Sequence, residues 1–489
     1  MHPCNVASLT GNPAQLRSLL AQAAAQTART GKATLASLVL PAPTSDPLRV
    51  FCALLDLYPG KCSYWEQPNR QTALAGAGAA LHMQTQGARR FADAALAWQA
   101  LRDGTIILDT SGATQDQPGI LHGPVLFGGF RFDPLSQRTA LWQDFPDGLL
   151  ILPRLLFRQI ENQATLTLNY LVQTSDNLDQ VANALNQEVA QLAELLATTP
   201  EHVDHALAEK TVYQLRDVWP ASRWKELVSQ AVNLIQQGAY AKVVLAREVE
   251  VTAAAHQPAF SLLTTLQRLR QNYPAAYIFA LQRGKRTFTG ATPERLAHAQ
   301  DGQLHTMALA GSAPRGTTED EDRHLGSELL TSSKNREEHE FVASMLRNSL
   351  AHLCSKIWVA DTPELLRLKN IQHLQTAIVG ELLPERSILE ALHTLHPTPA
   401  VGGTPTGPAL AFIRAHENLD RGWYAGPIGW IDLQGNGEFA VALRSTLLEE
   451  RRATLFAGCG IVKDSDPEAE YAESCLKLQV ILRSLSGEE

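Results

Sequence analysis

Glu470, Glu473 and Lys477 stand at i, i+3 and i+7 of a helical window, so two carboxylates and an ammonium share one face. That face also carries Leu476, Val480 and Ile481, and carboxylates among apolar residues are costly unless they are paired or bind a metal. A solvated ladder of Glu and Lys is the plainer reading of the same spacing. Just upstream, Ala457-Gly458-Cys459-Gly460 offers glycines that let backbone amides approach an anion. A second acidic cluster, Arg336-Glu337-Glu338-His339-Glu340, aligns Glu338 with Phe341, Val342, Met345 and Leu346 on a helix. Glu338 with Glu470 or Glu473 would make an oxygen-rich site suited to magnesium. A charge run at a helix start explains these acids equally well.

Lys242 lies in Ala-Lys-Val-Val-Leu-Ala-Arg, a strand pattern. Desolvation there lowers a lysine toward general-base range, whereas an edge-strand lysine would only block aggregation. Glu294, in Ala-Thr-Pro-Glu-Arg-Leu, is a candidate general acid or an acid that merely starts an element. His373 and His396 are the notable histidines, and the Pro- and Gly-rich tract 396–405 suits either a pocket wall or a simple loop. Arg444, in Ala-Val-Ala-Leu-Arg-Ser, wants a carboxylate partner if it points inward and none if it faces solvent; Tyr424 precedes it by twenty residues.

The elements that must position these residues follow from periodicity and breakers. Helices are expected at 12–27, 178–197, 222–236, 335–353, 385–395, 406–416 and 467–485. Strands are expected at 147–157, 164–173, 240–252, 304–310, 426–433, 438–448 and 453–458, and as a hairpin over 276–291 turned at Arg283-Gly284-Lys285. The runs 47–57 and 73–82 read as strands or buried segments, 120–133 as strand and turn, and 313–323 as a polar loop. The polar stretch 198–220 is the best candidate boundary. Without strict βαβ alternation the order suggests α+β layers.

The 489 residues are 45% hydrophobic and 19% charged, which excludes disorder and leaves about three domains as a prior from length. With 42 basic and 50 acidic residues and no basic run, nucleic acid is not an expected partner. Cys4, Cys52, Cys62, Cys354, Cys459 and Cys475 are scattered without metal-ligand spacing and read as reduced thiols. No signal peptide or membrane-length apolar run is present, so a cytoplasmic protein is expected.

Taken in order, Lys-Val-Val-Leu-Ala-Arg, Thr-Pro-Glu, Leu-Ala-Gly-Ser, Glu-His-Glu, Gln-His-Leu, His-Pro-Thr, the Arg444 strand, Ala-Gly-Cys-Gly-Ile-Val and Glu-x-x-Glu-x-x-x-Lys resemble the chorismate-utilising enzymes from about residue 221 to the C-terminus. Gly-Gly-Phe-Arg-Phe-Asp-Pro (128–134), His-Pro-Thr-Pro-Ala-Val-Gly-Gly (396–403) and Asp-Arg-Gly-Trp-Tyr-Ala (420–425) look most like the isochorismate synthases, especially those feeding salicylate-based siderophores. The resemblance implies one large α+β domain of two stacked β-sheets with flanking helices, like anthranilate synthase component I. Residues 1–205 would be its N-terminal part and 206–489 its chorismate-binding catalytic region.

It implies magnesium held by Glu338 and Glu473 with Glu470 beside them. Arg444, Tyr424 and the backbone of Gly458 and Cys459 would hold the enolpyruvyl carboxylate. Lys477 would add positive charge, Gly311 and Ser312 would line the pocket, and His373 would contact the reacting ring. Lys242 would be the base that activates water and Glu294 the acid that releases hydroxide. Lys242 disfavours the ammonia-using relatives that make anthranilate or aminodeoxychorismate. Ala400, where salicylate synthases have Thr, favours an isochorismate synthase over one that also eliminates pyruvate. The resemblance further implies a monomer, with an isochorismate-pyruvate lyase downstream, and a product feeding siderophore, salicylate or menaquinone synthesis. The net charge of −8 does not oppose a dianionic substrate, because it includes the acids of the metal site and says little about a buried pocket.

Overall fold

The computed structural model describes residues 12–112, 123–199, 210–316, 318–367 and 371–487. Cys4, residues 120–122 of the strand-and-turn reading and 200–209 of the candidate boundary lie outside them. The chain forms two compact units. The first holds residues up to Glu294, Pro397–Leu433 and Ala440 onward, and the second holds Arg295–His396 and Gln434–Phe439. Residues on both sides of 200–209 therefore belong to the first unit.

Among the described residues, the first unit is built on a thirteen-stranded sheet. At one end Tyr213–Asp217, Lys242–Ala253, Arg452–Ile461, Ser445–Glu449, Arg286–Thr292 and Tyr277–Arg283 lie side by side. The order continues through Cys62–Gln67, Thr72–Ala77, Leu155–Ile160, Gln163–Val172, Thr34–Ala42 and Ile106–Asp109. Gly403–Thr404 adds a short antiparallel pairing to the start of the Lys242 strand. That strand is Val- and Ala-rich and buried on both faces over Val243–Arg247, then alternates with Val249, Val251 and Ala253 inward. Four further antiparallel strands, Leu81–Thr85, Gly148–Leu152, Val125–Phe130 and Pro427–Asp432, also lie in this unit.

Helices cover the large sheet. Helix Pro467–Ser486 starts at Asp466, whose side chain accepts from Ala469 N at 2.9 Å, and stops at Gly487, which adopts φ +75°. It buries Leu478, Ile481, Leu482 and Leu485 in the core formed with Val249, Val251, Leu455 and Ala457. Helix Ala221–Gln236 seals the other flank with Trp224, Leu227, Val228 and Ala231 against Val243, Leu245, Cys459 and Ile461.

In the second unit, strands Arg295–Gln300, Gln303–Pro314, Ile371–Leu382 and Cys354–Val359 pair antiparallel in that order, and Glu364–Arg367 also pairs with Ile371–Leu382. Its helices are Glu319–Thr331, Ser333–Leu350 and Ile388–Leu395.

The α+β character, with large sheets and flanking helices, is as expected, and most expected helices and strands form within a few residues. Three differences have local causes. The run 47–57 is a helix, begun by the Asp46 cap and Pro47. The loop expected at 313–323 gives way at Thr318, whose side chain caps a helix with Glu319, Asp320, Glu321 and Asp322 in its first turn. The strand expected at 438–448 breaks into Gly437–Val441 and Ser445–Glu449, because Arg444 adopts φ +47°.

Candidate active site

Lys242 opens its strand opposite Thr404, and Ala241 N donates to Thr404 O at 2.8 Å. Its aliphatic stem crosses Gly460: a Cβ there would lie 2.8 Å from Lys242 Cε and 3.4 Å from Nζ. Gly460 is a residue that the sequence reading placed only in an anion-binding turn. Gly403, at φ +126°, has no room for a side chain, since a Cβ would meet Lys242 O at 2.3 Å.

Glu294 follows strand Arg286–Thr292 across Pro293. Its N–H points to Thr292 Oγ1 at 3.3 Å and its carbonyl accepts from Val441 N at 2.9 Å, so the backbone that carries it is tied down. Burial pushes its carboxyl up to about 7; the charge of Lys242 and the hydroxyl of Thr398 pull it back down. The candidate base and the candidate acid thus sit within one another's field, with Thr398 as a third member. Sequence reasoning missed Thr398, although it lies in the tract 396–405 singled out for its prolines.

That tract is fixed from behind. Val401 N and Gly402 N both donate to Thr398 O, forming the turn that holds the half-buried Ala400. Arg421 donates to Val401 O at 3.2 Å and to Val244 O at 2.7 Å, and it pairs with Glu417, both side chains being 2% exposed. Glu417 in turn accepts from Ala246 N at 2.8 Å. One buried ion pair therefore stitches the Ala400 turn to the Lys242 strand.

The second cluster of this unit surrounds Arg444. Burial lowers its pKa, while Tyr424, Cys459 and Glu473 favour its charge. The buried Tyr424 ring stacks on Phe456 at 5.2 Å, and burial raises its hydroxyl while Arg421 and Arg444 oppose that rise. A Cβ at Gly458 would approach Tyr424 Oη to 3.1 Å, so glycine keeps the backbone open beside the phenol. Lys477 Nζ donates to Gly458 O at 2.9 Å and pairs with Glu473 Oε1 at 2.5 Å. Glu470 accepts from Ser465 Oγ at 2.7 Å; burial raises its pKa and the neighbouring Glu473 adds to the rise.

Donor atoms of Cys459, Glu470 and Glu473 all lie within 4.8 Å of one another. Burial pushes the Cys459 thiol up to about 12, and Glu470 and Glu473 set carboxylate oxygens beside it. Two carboxylates this close offer the hard oxygen donors that magnesium takes.

One feature of this helix differs from the sequence reading. Leu476 is 59% exposed, and the buried stripe runs through Ser474, Leu478, Ile481, Leu482 and Leu485. The charged residues lie along the margin of that stripe, with Glu473 half exposed.

In the second unit, Gly311 adopts φ +73° at a bulge where the register slips: Ala310 faces Leu374, whereas Ser312 faces His373. His373 is half buried on strand Ile371–Leu382. Glu338 is exposed on helix Ser333–Leu350, whose buried face carries His339, Val342, Ala343, Leu346 and Leu350, and Phe341 is 63% exposed. Glu338 therefore flanks the apolar stripe and does not sit on it; the histidine next to it does. His339 has Nδ1 3.1 Å from Ala310 O and Nε2 2.6 Å from Thr376 Oγ1, and burial lowers its pKa.

A family profile described as "Chorismate binding enzyme" matches residues 20–486. The chain belongs to the chorismate-binding enzymes. Among the relatives of this family member, isochorismate synthase MenF of Bacillus subtilis is 36% identical over 448 residues, covering 91% of this chain and 92% of the relative. A salicylate biosynthesis isochorismate synthase of Pseudomonas aeruginosa is 39% identical, covering 90% and 88%. Among solved structures, the menaquinone-specific isochorismate synthase MenF of Escherichia coli superposes with a TM-score of 0.72 at 27% identity, covering 95% of this chain and 99% of that one. No described helix of this chorismate-binding enzyme is long and apolar enough to cross a membrane.

Proposed function

We propose that this chain is an isochorismate synthase, an isomerase that converts chorismate to isochorismate with magnesium. The observation that carries the reading is the Glu294 carboxyl, pushed up to about 7 by burial and facing Lys242. A general acid and a general base work best with pKa values near the working pH, and this pair divides the two roles between a carboxylic acid and an amine. Lys242, once it has lost its proton, takes a proton from water as the water oxygen bonds to ring carbon C2. The C4–O bond breaks with its electrons on oxygen, and Glu294 supplies the proton that lets it leave as water. One water enters and one leaves, so the net change is an isomerisation.

The other named residues serve binding. Arg444, Tyr424 and the backbone at Gly458 and Cys459 take the enolpyruvyl carboxylate, and a guanidinium favours such an anion through charge-assisted hydrogen bonds. Glu473, with Glu470 beside it, would hold magnesium, which when bound would orient and neutralise the ring carboxylate. Glu338, Gly311, Ser312 and His373 keep the roles that the family resemblance gives them. The relatives named for isochorismate synthesis at 36% and 39% identity over most of both chains support the same reaction. The described cysteines are all free, which suits a reducing cytoplasm.

Purified protein given chorismate and magnesium is expected to yield isochorismate without pyruvate. Stoichiometric pyruvate and salicylate would replace this reading with a salicylate synthase, and an aromatic amine formed on adding ammonium would replace it with an amine-transferring enzyme.

A further inference from the structure

We propose that His339 is the positioning residue of the second unit, locking the helix that carries Glu338 onto the bulge of Gly311 and Ser312 and onto the strand of His373. The proposal rests on the function proposed above, which gives those four residues their roles. His339 is 3% exposed and uses both ring nitrogens. A carbonyl oxygen only accepts, so Nδ1 carries the proton and donates to Ala310 O. The Nε2 lone pair then accepts the hydroxyl proton of Thr376. One tautomer of one ring thus joins three elements.

Both contacts fall on strands that carry candidate site residues. Ala310 immediately precedes Gly311, at the point where the register slips. A bulge shifts the register of the strand that follows it, and holding its first carbonyl holds that shift. The helix also rests on the bulge directly: a Cβ on Gly311 would lie 3.3 Å from Asn335 Cβ, one turn before His339. Thr376 lies three residues beyond His373 on the same strand. Consecutive residues on a helix point about 100° apart, so a ring fixed at His339 also fixes the direction in which Glu338 leaves the helix. A buried histidine serving only as core packing would also satisfy its ring nitrogens; what marks this one is that its donor bond goes to the carbonyl immediately before the bulge.

Two measurements test this. In protein labelled with 15N-histidine and free of metal, with His339→Asn used to assign the signal, His339 is expected as the neutral Nδ1–H tautomer. An Nε2–H tautomer would overturn the proposal. In turnover, His339→Ala is expected to raise the magnesium concentration for half-maximal rate by roughly 10- to 100-fold, the cost usual for residues that orient a metal ligand. His339→Asn, which keeps a donor within reach of Ala310 O, is expected to recover most of that loss. Circular dichroism and the melting temperature report the folded fraction, and a purely structural histidine would lower that fraction with the magnesium midpoint unchanged, which would also overturn the proposal. If the unaltered protein makes no isochorismate, the functional reading fails. Calorimetric magnesium binding to the unaltered protein and His339→Ala then decides the positioning claim without turnover: weaker binding by the variant supports it, and equal binding refutes it.

Discussion

Replacing Glu294 with Gln keeps the outline of the carboxyl and removes its ionisation. In the folded protein burial holds this group at about 7 against an ordinary value of 4.5. At about 1.4 kcal/mol for each tenfold change in proton affinity, ionising it in place costs about 3 kcal/mol. The sign follows from linkage. The folded state binds the proton more tightly than the unfolded chain, so this favourable contribution is fully present below about 4.5 and is lost as pH rises through about 7. A glutamine has no such dependence. Glu294→Gln should therefore gain about 3 kcal/mol relative to the unaltered protein between pH 4.5 and 7.5. Over the same range it should lose isochorismate formation, because the amide cannot release a proton to the departing oxygen. Denaturant unfolding at a series of pH values measures the first effect and product chromatography the second. A stability difference that stays flat with pH would mean that Glu294 ionises freely in the folded state. That result would remove the acid role, whatever the loss of activity.

Lys242→Ala should abolish turnover and leave chorismate binding measurable by calorimetry; full residual activity would take the base role away from this lysine. Gly460→Ala should lower kcat with little change in melting temperature, since its Cβ would strike the flexible end of Lys242 at 2.8 Å and not a backbone atom. Arg421→Ala should destabilise by roughly 3–5 kcal/mol in denaturant unfolding, the usual cost of leaving one partner of a buried ion pair alone, here Glu417. Above a neutral optimum the unaltered enzyme should lose kcat as Glu294 deprotonates, and a rate still rising through pH 8 would refute Glu294 as the acid.

Residue order alone was enough to assign the family, because this chemistry needs particular residue types in a fixed sequence: an amine in a β-branched strand, an acid after a turn, and acids along two helices. Element boundaries were legible where local rules dominate. Helix 406–416 matches the expected residues, and helix Pro467–Ser486 extends one residue beyond them, fixed by its Asp466 and Gly487 caps. Local rules also misled where partners far along the chain decide. Periodicity put Leu476 and Phe341 on apolar stripes, yet both are more than half exposed, because a helix buries whichever face its neighbours cover.

What only the tertiary structure decided is electrostatic and long-range. The sequence offers Glu294 as one acid among 50 acidic residues. It becomes an acid near neutrality only when the sheet buries it, with Lys242 and the Thr398 hydroxyl in its field. Nothing in the order of residues tells that Thr398 acts on Glu294, that Gly460 makes room for Lys242, or that Arg421 fastens the Ala400 turn to the Lys242 strand. Residue types set which charges and donors exist. Desolvation and distance, which fix a pKa or the tautomer of His339, arise only when segments remote in sequence pack together.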